Sequence, residues 1–404
     1  MSFVRRISTI ASSSIASQII GALSIWLIST RYGMSEVGVY ALTYSVALIG
    51  AQICTLASQL LLPKQNDSLL GQNFVFCLCL SALLAVIYAL ITSWYLEHSI
   101  IQVYLLTLSH AWILVSENML LRNQKVKQLA VQRTSISVLV FALVYLTQDS
   151  ATFYWAWSLG VALWVVVCIV IVAPTHQLSR HQCGFRSLWL FFSHNKHHLI
   201  KVGGAETLAM LNANLPVVLL NVWFSPMVAG YYAVVQRFCL SPVVIAGNAV
   251  RNTIFAEWSH SFRQNYFDYD KFIKVRNLLL VIGVAATLGV YVFYPLVMRI
   301  GFNEEWLASV PTSRYMLPYL LPALAVCPLT VLELIYGHPN YFLRIQLEQF
   351  AVVLIAFGAL PLLSVDYSYC VLGFAILSAL RYAFIYRRVH NTAKNLKLSP
   401  EGIR

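Results

Sequence analysis

Long apolar stretches with almost no charge alternate with short polar stretches along the whole chain. Each stretch has about 20 residues or more, the length that an α-helix needs to cross the roughly 30 Å hydrocarbon core of a bilayer. We predict one transmembrane helix for each of twelve stretches. They lie at residues 8–30, 36–61, 72–95, 99–120, 128–148, 151–173, 200–222, 227–250, 276–298, 314–337, 343–364 and 367–387.

The composition supports a membrane protein with little mass outside the bilayer. The chain has 404 residues, of which 59% are hydrophobic and 10% charged, whereas a soluble domain carries about 25% charged residues. The fold class that we predict is therefore all-α and polytopic. The eight cysteines include no C-x-x-C pair, so we interpret them as apolar core residues and not as a disulfide framework or a zinc site.

A net charge of +12 is compatible with nucleic-acid binding, but the placement of the basic residues favours an effect of membrane topology instead. With the N-terminus inside, only Arg31, Arg299 and Arg314 of the 27 basic residues fall on the outer side. Arg237 lies within a span, which leaves 23 on the inner side. By the positive-inside rule, we predict that both termini are cytoplasmic and that no nucleic acid is bound.

The chain divides into two halves that resemble each other. Residues 31–42 align with residues 223–234, and Gly38 pairs with Gly230, 192 positions later. We predict an internal repeat of two six-helix lobes. The boundaries are 1–175 for the first lobe, 176–199 for a cytoplasmic linker, 200–389 for the second lobe and 390–404 for a tail. The linker holds five histidines without a metal-ligand spacing, so we expect a solvated segment there.

Arg237 is the most unusual single position. It lies about ten residues into the eighth span, near the middle of the bilayer, where a charge costs roughly 2.5–3.5 kcal/mol on insertion scales. Two interpretations remain open. Arg237 forms a structural ion pair with Glu206 or Glu333, or it attracts an anionic substrate group, since arginine matches the geometry of phosphate.

Three carboxylates near the cytoplasmic ends of spans are candidates for ion coupling. Glu206, Glu333 and Glu117 each either bind a proton or a sodium ion or pair with a neighbouring arginine. The first and seventh spans are rich in Ser, Gly and Asn. These small and polar residues serve either as contacts between helices or as a polar wall along a transport path.

The sequence contains no recognisable catalytic motif. There is no phosphate-cradling glycine loop followed by a lysine, no H-E-x-x-H and no G-x-S-x-G. We therefore predict a transporter without a cofactor or metal, and not an enzyme. Its energy would come from an ion gradient, the membrane potential or the gradient of the substrate.

Three segments resemble the bacterial O-antigen and capsule flippases of the multidrug/oligosaccharidyl-lipid/polysaccharide (MOP) exporter superfamily. One is the run Arg31-Tyr-Gly-Met-Ser-Glu-Val-Gly-Val-Tyr-Ala-Leu42. The second is Asn214-Leu-Pro-Val-Val-Leu-Leu220, and the third begins Gly230-Tyr-Tyr-Ala-Val-Val-Gln-Arg237 and continues to Val250. About 90 residues of the chain, which include these three segments, carry the resemblance, and their motifs match the polysaccharide branch better than the drug-efflux branch.

The resemblance implies a V-shaped pair of lobes around a cationic cavity in the inner membrane. The implied substrate is an undecaprenyl-diphosphate-linked oligosaccharide that moves to the outer leaflet, with a polysaccharide polymerase and a chain-length regulator as further partners. The cavity-lining set that it implies consists of Arg237, Gln236, Asn212, Asn214 and Asn248. Arg31 and Arg251 lie at the edges of spans and would add positive charge, since few other buried basic residues are evident.

Two other functions remain open. A cation-coupled drug antiporter of the same superfamily would have buried acids that dominate over Arg237. A membrane polymerase or ligase of the same pathway would carry a large outer loop with clustered catalytic residues, whereas the longest outer loop here is short, around residues 299–313.

Overall fold

Helices form nearly all of the computed structural model, and the described residues contain no strand. The structure describes residues 3–63, 65–94, 96, 98–174, 184–241, 247, 250–251, 254, 258, 261, 266–301, 304–336 and 340–398. The chain divides into two compact units, an N-terminal unit, Met1–Val218, and a C-terminal unit, Leu219–Arg404.

The described part of the first 223 residues forms seven long helices. They are α1 (Phe3–Tyr32), α2 (Met34–Thr55), α3 (Asp67–Thr92), α4 (Ile100–Arg122), α5 (Val126–Leu146), α6 (Ser150–Val172) and α7 (Phe185–Trp223), with a 3₁₀ turn at Ser58–Leu61. In the N-terminal unit α1 packs on α5, while α4 packs on both α2 and α6.

The helices of the C-terminal unit are more often interrupted. They are α8 (Pro226–Val235), α9 (Tyr269–Gly301), α10 (Glu304–Leu307), α11 (Val310–Tyr315), α12 (Leu317–Val326), α13 (Val331–Tyr336), α14 (Asn340–Leu354), α15 (Leu360–Leu362) and α16 (Tyr367–Leu398). Turns of π-helix at Gln236–Leu240 and Ile355–Ala359 and a 3₁₀ turn at Pro328–Thr330 join some of them.

The described residues contain ten helices that are long and apolar enough to cross a membrane. An eleventh is added if Glu304–Tyr315 and Leu317–Glu333, which are bent by 56°, form one span. This bent pair includes most of the tenth predicted stretch, 314–337. The eighth, 227–250, is described only in part, through α8 and the π turn that follows it. The all-helical, polytopic fold is confirmed, while the count of twelve spans stays a prediction.

The segment that we predicted as a solvated linker, 176–199, is helical over its second part. Residues 175–183 lie outside the described residues, but α7 begins at Phe185 and continues to Trp223 without a break. Its first turns pack on α3, because the Phe191 ring is buried 5.1 Å from that of Phe76 and Gln72 Nε2 donates to Ser187 O at 2.7 Å. These contacts stabilise the helix over residues 185–199, although this segment precedes the apolar span.

The predicted tail at 390–404 is likewise helical through Leu398, as the end of α16. Val389 and Ala393 are fully buried there, within a cluster that includes Phe272 and Leu329. Apolar packing therefore extends α16 beyond the stretch that hydropathy predicts.

The break between the first two helices of each half occurs at the same position of the repeat. Helix α2 begins at Met34 and α8 begins at Pro226, 192 residues later, which is the offset that the sequence alignment gives. Gly33 precedes α2 with φ of 94°, a conformation that glycine adopts without strain. Ser225 occupies the equivalent place, and its side chain accepts a hydrogen bond from Val228 N.

An aromatic cluster fills the core of the N-terminal unit. The rings of Phe153 and Trp157 stack at 5.9 Å, and that of Tyr40 lies 4.8 Å from Trp157. Tyr44 packs edge-on against His110 at 5.4 Å. Tyr40 belongs to the segment that carries the flippase resemblance, so part of that segment has a packing role.

Candidate functional site

Arg237 lies where the α-helical hydrogen bonding of α8 gives way to the π turn Gln236–Leu240. Such turns are rare in proteins as a whole, and many of those that occur lie at functional sites. The side chain is half-buried between the buried residues Val235 and Cys239. Its Nε atom is buried and has no hydrogen-bond partner among the described residues. The guanidinium therefore enters an apolar span with part of its hydrogen-bonding capacity unused.

Glu333, one of the two acids proposed as partners for Arg237, is engaged by other groups of the C-terminal unit. Its carboxylate is almost completely buried. Thr392 Oγ1 donates to Glu333 Oε1 at 2.5 Å, and Arg388 Nε lies 3.5 Å from Oε2. The Arg388 guanidinium also covers the Tyr341 ring at 3.8 Å. These contacts account for the buried charge of Glu333 without Arg237.

Glu117, a candidate for ion coupling, forms an ion pair in the N-terminal unit. Arg133 holds it with two parallel hydrogen bonds, from Nε to Oε1 at 2.7 Å and from Nη2 to Oε2 at 2.8 Å. Both side chains are largely buried, with 30% and 17% exposed for Arg133 and Glu117. The sequence left open whether Glu117 binds an ion or pairs with an arginine, and in the structure it pairs with Arg133.

Arg133 and Arg381 are partly buried cations that the sequence interpretation missed. The charge count places Arg133 on the cytoplasmic side, although it lies within both the predicted stretch 128–148 and the helical span Val126–Leu146. Arg381 donates to Ile345 O at 3.1 Å and contacts Gln349 Oε1. The signal for Arg133 is a lone basic residue within an apolar stretch, five residues after its start, as Arg237 is ten residues into its own stretch. The partner of Arg133, Glu117, comes from another helix.

Arg31, a candidate for substrate binding, caps the end of α5. Its Nη1 atom donates to Tyr145 O at 2.6 Å and to Thr147 O at 3.0 Å. The hydroxyl groups of Tyr32 and Thr147 lie 2.7 Å apart. A cation at the carboxyl end of a helix satisfies free carbonyls and interacts favourably with the helix dipole. The motif residues Arg31 and Tyr32 thus tie the end of α1 to the end of α5.

Asn212 and Asn214 lie on α7 in the part that belongs to the N-terminal unit. Asn214 is buried and its Nδ2 donates to Met210 O, one turn earlier, at 3.0 Å. Pro216 lacks the N–H that would donate to the carbonyl of Asn212, four residues before it. The half-buried Asn212 therefore lies beside a local interruption of the helical hydrogen bonds.

The other candidates lie in different surroundings. Gln236 and Arg251 are half-buried, and Glu206 is exposed on α7. Asn248 lies outside the described residues, so its predicted role is unchanged. Among the described residues, no group of three or more His, Cys, Asp or Glu side chains is placed to hold a metal ion.

Solved structures of membrane transporters have the same fold over nearly the whole chain. An inward-facing multidrug resistance MATE family transporter of the MOP superfamily aligns with a TM-score of 0.71 and 11% identity, over 99% of this chain and 100% of that one. The lipid II flippase MurJ, in an inward closed conformation, aligns with a TM-score of 0.70 and 12% identity, over 97% and 90%.

A MOP superfamily transporter from Pyrococcus furiosus, described as having a binding pocket of reverse polarity, aligns with a TM-score of 0.54 and 11% identity, over 97% of this chain and 95% of that one. No protein-family model and no curated protein matches the sequence. Identities of this size establish a common fold and leave the substrate open. The chain therefore has the fold of the MOP superfamily transporters, a fold found in both a drug transporter and a lipid flippase.

Proposed function

We propose that this protein flips undecaprenyl-diphosphate-linked oligosaccharides from the cytoplasmic to the periplasmic leaflet of a bacterial inner membrane. The exported units would serve the synthesis of O-antigen, capsule or exopolysaccharide. Both termini would be cytoplasmic, and the polymerase and chain-length regulator that extend the units would be its neighbours. No covalent bond of the substrate changes, so the protein would act as a transporter and not as an enzyme.

The observation that carries this proposal is that Arg237 lies half-buried within a span and that its buried Nε atom has no hydrogen-bond partner among the described residues. A guanidinium inside a span costs free energy, and a buried donor without a partner adds about 1–3 kcal/mol. A substrate that brings negative charge and acceptor oxygens offsets both costs. The diphosphate of a polyprenyl carrier is such a group, whereas its apolar tail favours the lipid. Alternating access would then expose the bound diphosphate first to one leaflet and then to the other.

The buried acids support an anionic substrate over a cationic one. A drug-cation antiporter needs carboxylates that are available to its substrate, but Glu117 is held by Arg133 and Glu333 lies beside Arg388. Both carboxylates are therefore compensated within their own units. Glu206 is exposed on α7 and stays a candidate for the exchange of a proton or a sodium ion.

The test replaces Arg237 in the native bacterium and in the purified protein. Arg237→Ala should abolish surface polysaccharide, leave the amount of protein in the membrane unchanged and cause lipid-linked units to accumulate in the inner leaflet. In nanodiscs, its affinity for undecaprenyl diphosphate should fall about 10- to 100-fold, since a hydrogen bond to a charged group contributes about 1.5–3 kcal/mol. Arg237→Lys should keep part of the affinity, because it retains the charge but loses the planar fork.

Arg344→Ala is the matched control, since Arg344 lies in the same unit but is 67% exposed and pairs only four residues away with Glu348. This variant should produce normal polysaccharide. Wild-type polysaccharide and affinity in Arg237→Ala would remove Arg237 from the mechanism and, with it, the main support for a diphosphate substrate.

A further inference from the structure

The ion pair between Arg133 and Glu117 uses only one edge of the guanidinium. Glu117 occupies Nε and one N–H of Nη2, while Nη1 lies 3.5 Å from Ser14 Oγ, which is a long hydrogen bond. The second edge of Arg133 is thus held in a fixed direction and is nearly unoccupied. It lies about 10 Å along the axis from the start of α5, at about 1.5 Å per residue, so it reaches well into the span.

The exposed part of Arg133 points away from the lipid-facing side of its helix. The exposed apolar residues of α5 include Val131 and Val138, which are 62% and 47% exposed. Arg133 lies two residues after Val131 and so about 200° further around the helix, at about 100° per residue. On α1, Ser17 lies two residues after the exposed residue Ile15 and so likewise about 200° further around its helix, while Ser14 lies about 100° from Ile15. We infer that this edge of Arg133 faces the interior of the protein.

Polar atoms without partners lie on α1 one turn from Ser14 and on α5 next to Arg133 in the chain. Ser17 Oγ, Gln18 Oε1 and Gln132 Nε2 are buried and have no hydrogen-bond partner among the described residues. Ser17 and Gln18 follow Ser14 by three and four residues, which places them one turn further along the same side of α1. Gln132 precedes Arg133, and its Oε1 accepts from Ser116 Oγ at 2.8 Å. A buried polar atom without a partner costs free energy unless a ligand satisfies it.

The chemistry of this group fits a sugar better than a phosphate or an organic cation. Arg133 and Glu117 cancel in charge, so the group offers little attraction to an ion of either sign. Its donors are Gln132 Nε2, which has no partner, and Arg133 Nη1, whose partner among the described residues is Ser14 Oγ at 3.5 Å; its acceptors without a partner are Ser17 Oγ and Gln18 Oε1. A phosphate only accepts hydrogen bonds at neutral pH, whereas each sugar hydroxyl both donates and accepts.

We propose that α1, α4 and α5 form a saccharide subsite within the N-terminal unit, in which Arg133, Ser17 and Gln18 bind hydroxyl groups of the oligosaccharide. Glu117 acts as a positioning residue, because it fixes the orientation of the Arg133 fork. This subsite rests on the proposed flippase function and adds to it that sugar and diphosphate are recognised by different residues.

The experiment compares two ligands on the full-length protein in lipid nanodiscs. One is undecaprenyl diphosphate, and the other is the lipid-linked repeat unit extracted from a strain that lacks this protein. Gln18→Leu and Ser17→Ala should each weaken binding of the repeat unit about tenfold, which corresponds to one or two hydrogen bonds. Binding of undecaprenyl diphosphate should be unchanged. The melting temperature of the ligand-free protein should rise, since each change removes a buried polar atom without a partner.

Ser24→Ala is the matched control on the same helix. Ser24 is fully buried, and its hydroxyl donates to Ile20 O at 2.9 Å, so its loss should leave both affinities unchanged. Equal weakening of both ligands by Gln18→Leu and Ser17→Ala would overturn the subsite. So would unchanged affinities with a lower melting temperature, which is the result expected of purely structural polar groups.

The two proposals fail in distinguishable ways. If the wild-type protein binds neither ligand, the flippase function is wrong and the saccharide subsite falls with it. If the protein binds undecaprenyl diphosphate and the repeat unit equally well, the diphosphate proposal stands and the subsite alone is wrong.

Discussion

Two consecutive glycines on α7 have very different surroundings. A Cβ on Gly203 would lie 2.9 Å from the carbonyl oxygen of Leu56, whereas a Cβ on Gly204 would meet no atom within 4 Å. Leu56 and Ala57 have positive φ values of 46° and 55°, at the corner where α2 ends. Close approach of α7 to this corner therefore depends on the missing side chain at position 203.

We predict that Gly203→Ala destabilises the protein by about 1–3 kcal/mol, as overpacking of a close contact does. Gly204→Ala should be neutral or stabilising by up to about 1 kcal/mol, because alanine favours the helix. Thermal unfolding of both purified variants in detergent gives the comparison. Equal melting temperatures for the two variants would mean that α7 does not approach the corner at Leu56 this closely.

At the scale of single residues, the sequence indicates which side chains are unusual but not which ones meet. Arg237 is recognisable because a lone charge lies deep within an apolar stretch. Arg133 looks like a cytoplasmic charge, because its partner Glu117 lies 16 residues earlier on another helix and only the packing of α4 on α5 joins them. The capping role of Arg31 depends in the same way on carbonyls more than 110 positions away.

At the scale of single elements, a titratable residue at the end of a helix makes the stability of that helix depend on pH. Asp149 precedes α6, accepts a hydrogen bond from Thr152 N at 2.8 Å and another from Thr152 Oγ1 at 2.7 Å. The side-chain hydrogen bond from Thr152, followed by that from its backbone, lowers the pKa of the Asp149 carboxyl group below its ordinary value. The ionised carboxylate is therefore the form that stabilises the start of α6.

We predict that Asp149→Ala lowers the melting temperature at neutral pH and that this difference from the wild type shrinks in acid. A group whose pKa is lowered in the folded state stabilises fully above its unfolded pKa, about 3.9 for Asp. It loses this contribution as the pH falls through the folded value. Asp149→Asn, which caps without titrating, is the control. A difference between wild type and Asp149→Ala that persists unchanged to pH 3 would show that the charge is not involved.

At the scale of elements, hydropathy predicts the position of most spans, because burial in lipid and burial in protein both select apolar residues. It does not predict interruptions. Examples are the 56° bend between Glu304–Tyr315 and Leu317–Glu333 and the π turn at Gln236–Leu240. Nor does it predict the first turns of α7, where polar residues are held in a helix by packing on α3.

For the whole molecule, the distribution of basic residues predicts which ends of the spans face the cytoplasm. We predict that a cysteine at residue 305 is outside and one at residue 185 inside. Phe185→Cys and Glu305→Cys would be made in a cysteine-free background, since Cys79 and Cys327 are exposed. An impermeant maleimide should label residue 305 from outside intact cells and residue 185 only in inverted vesicles. The opposite pattern would reverse the membrane orientation and the direction of the proposed flipping.

Helix α7 has 39 residues and is therefore about 58 Å long, nearly twice the thickness of the hydrocarbon core. Its first turns are bound to α3 through Gln72 and Phe76, so they form a stiff extension of a span that ends at Trp223. A soluble scaffold protein fused rigidly to this extension would add mass outside the membrane. The particle would then be large enough for alignment in electron micrographs. Changes in the tilt of that span during transport would then be visible as rotation of the scaffold.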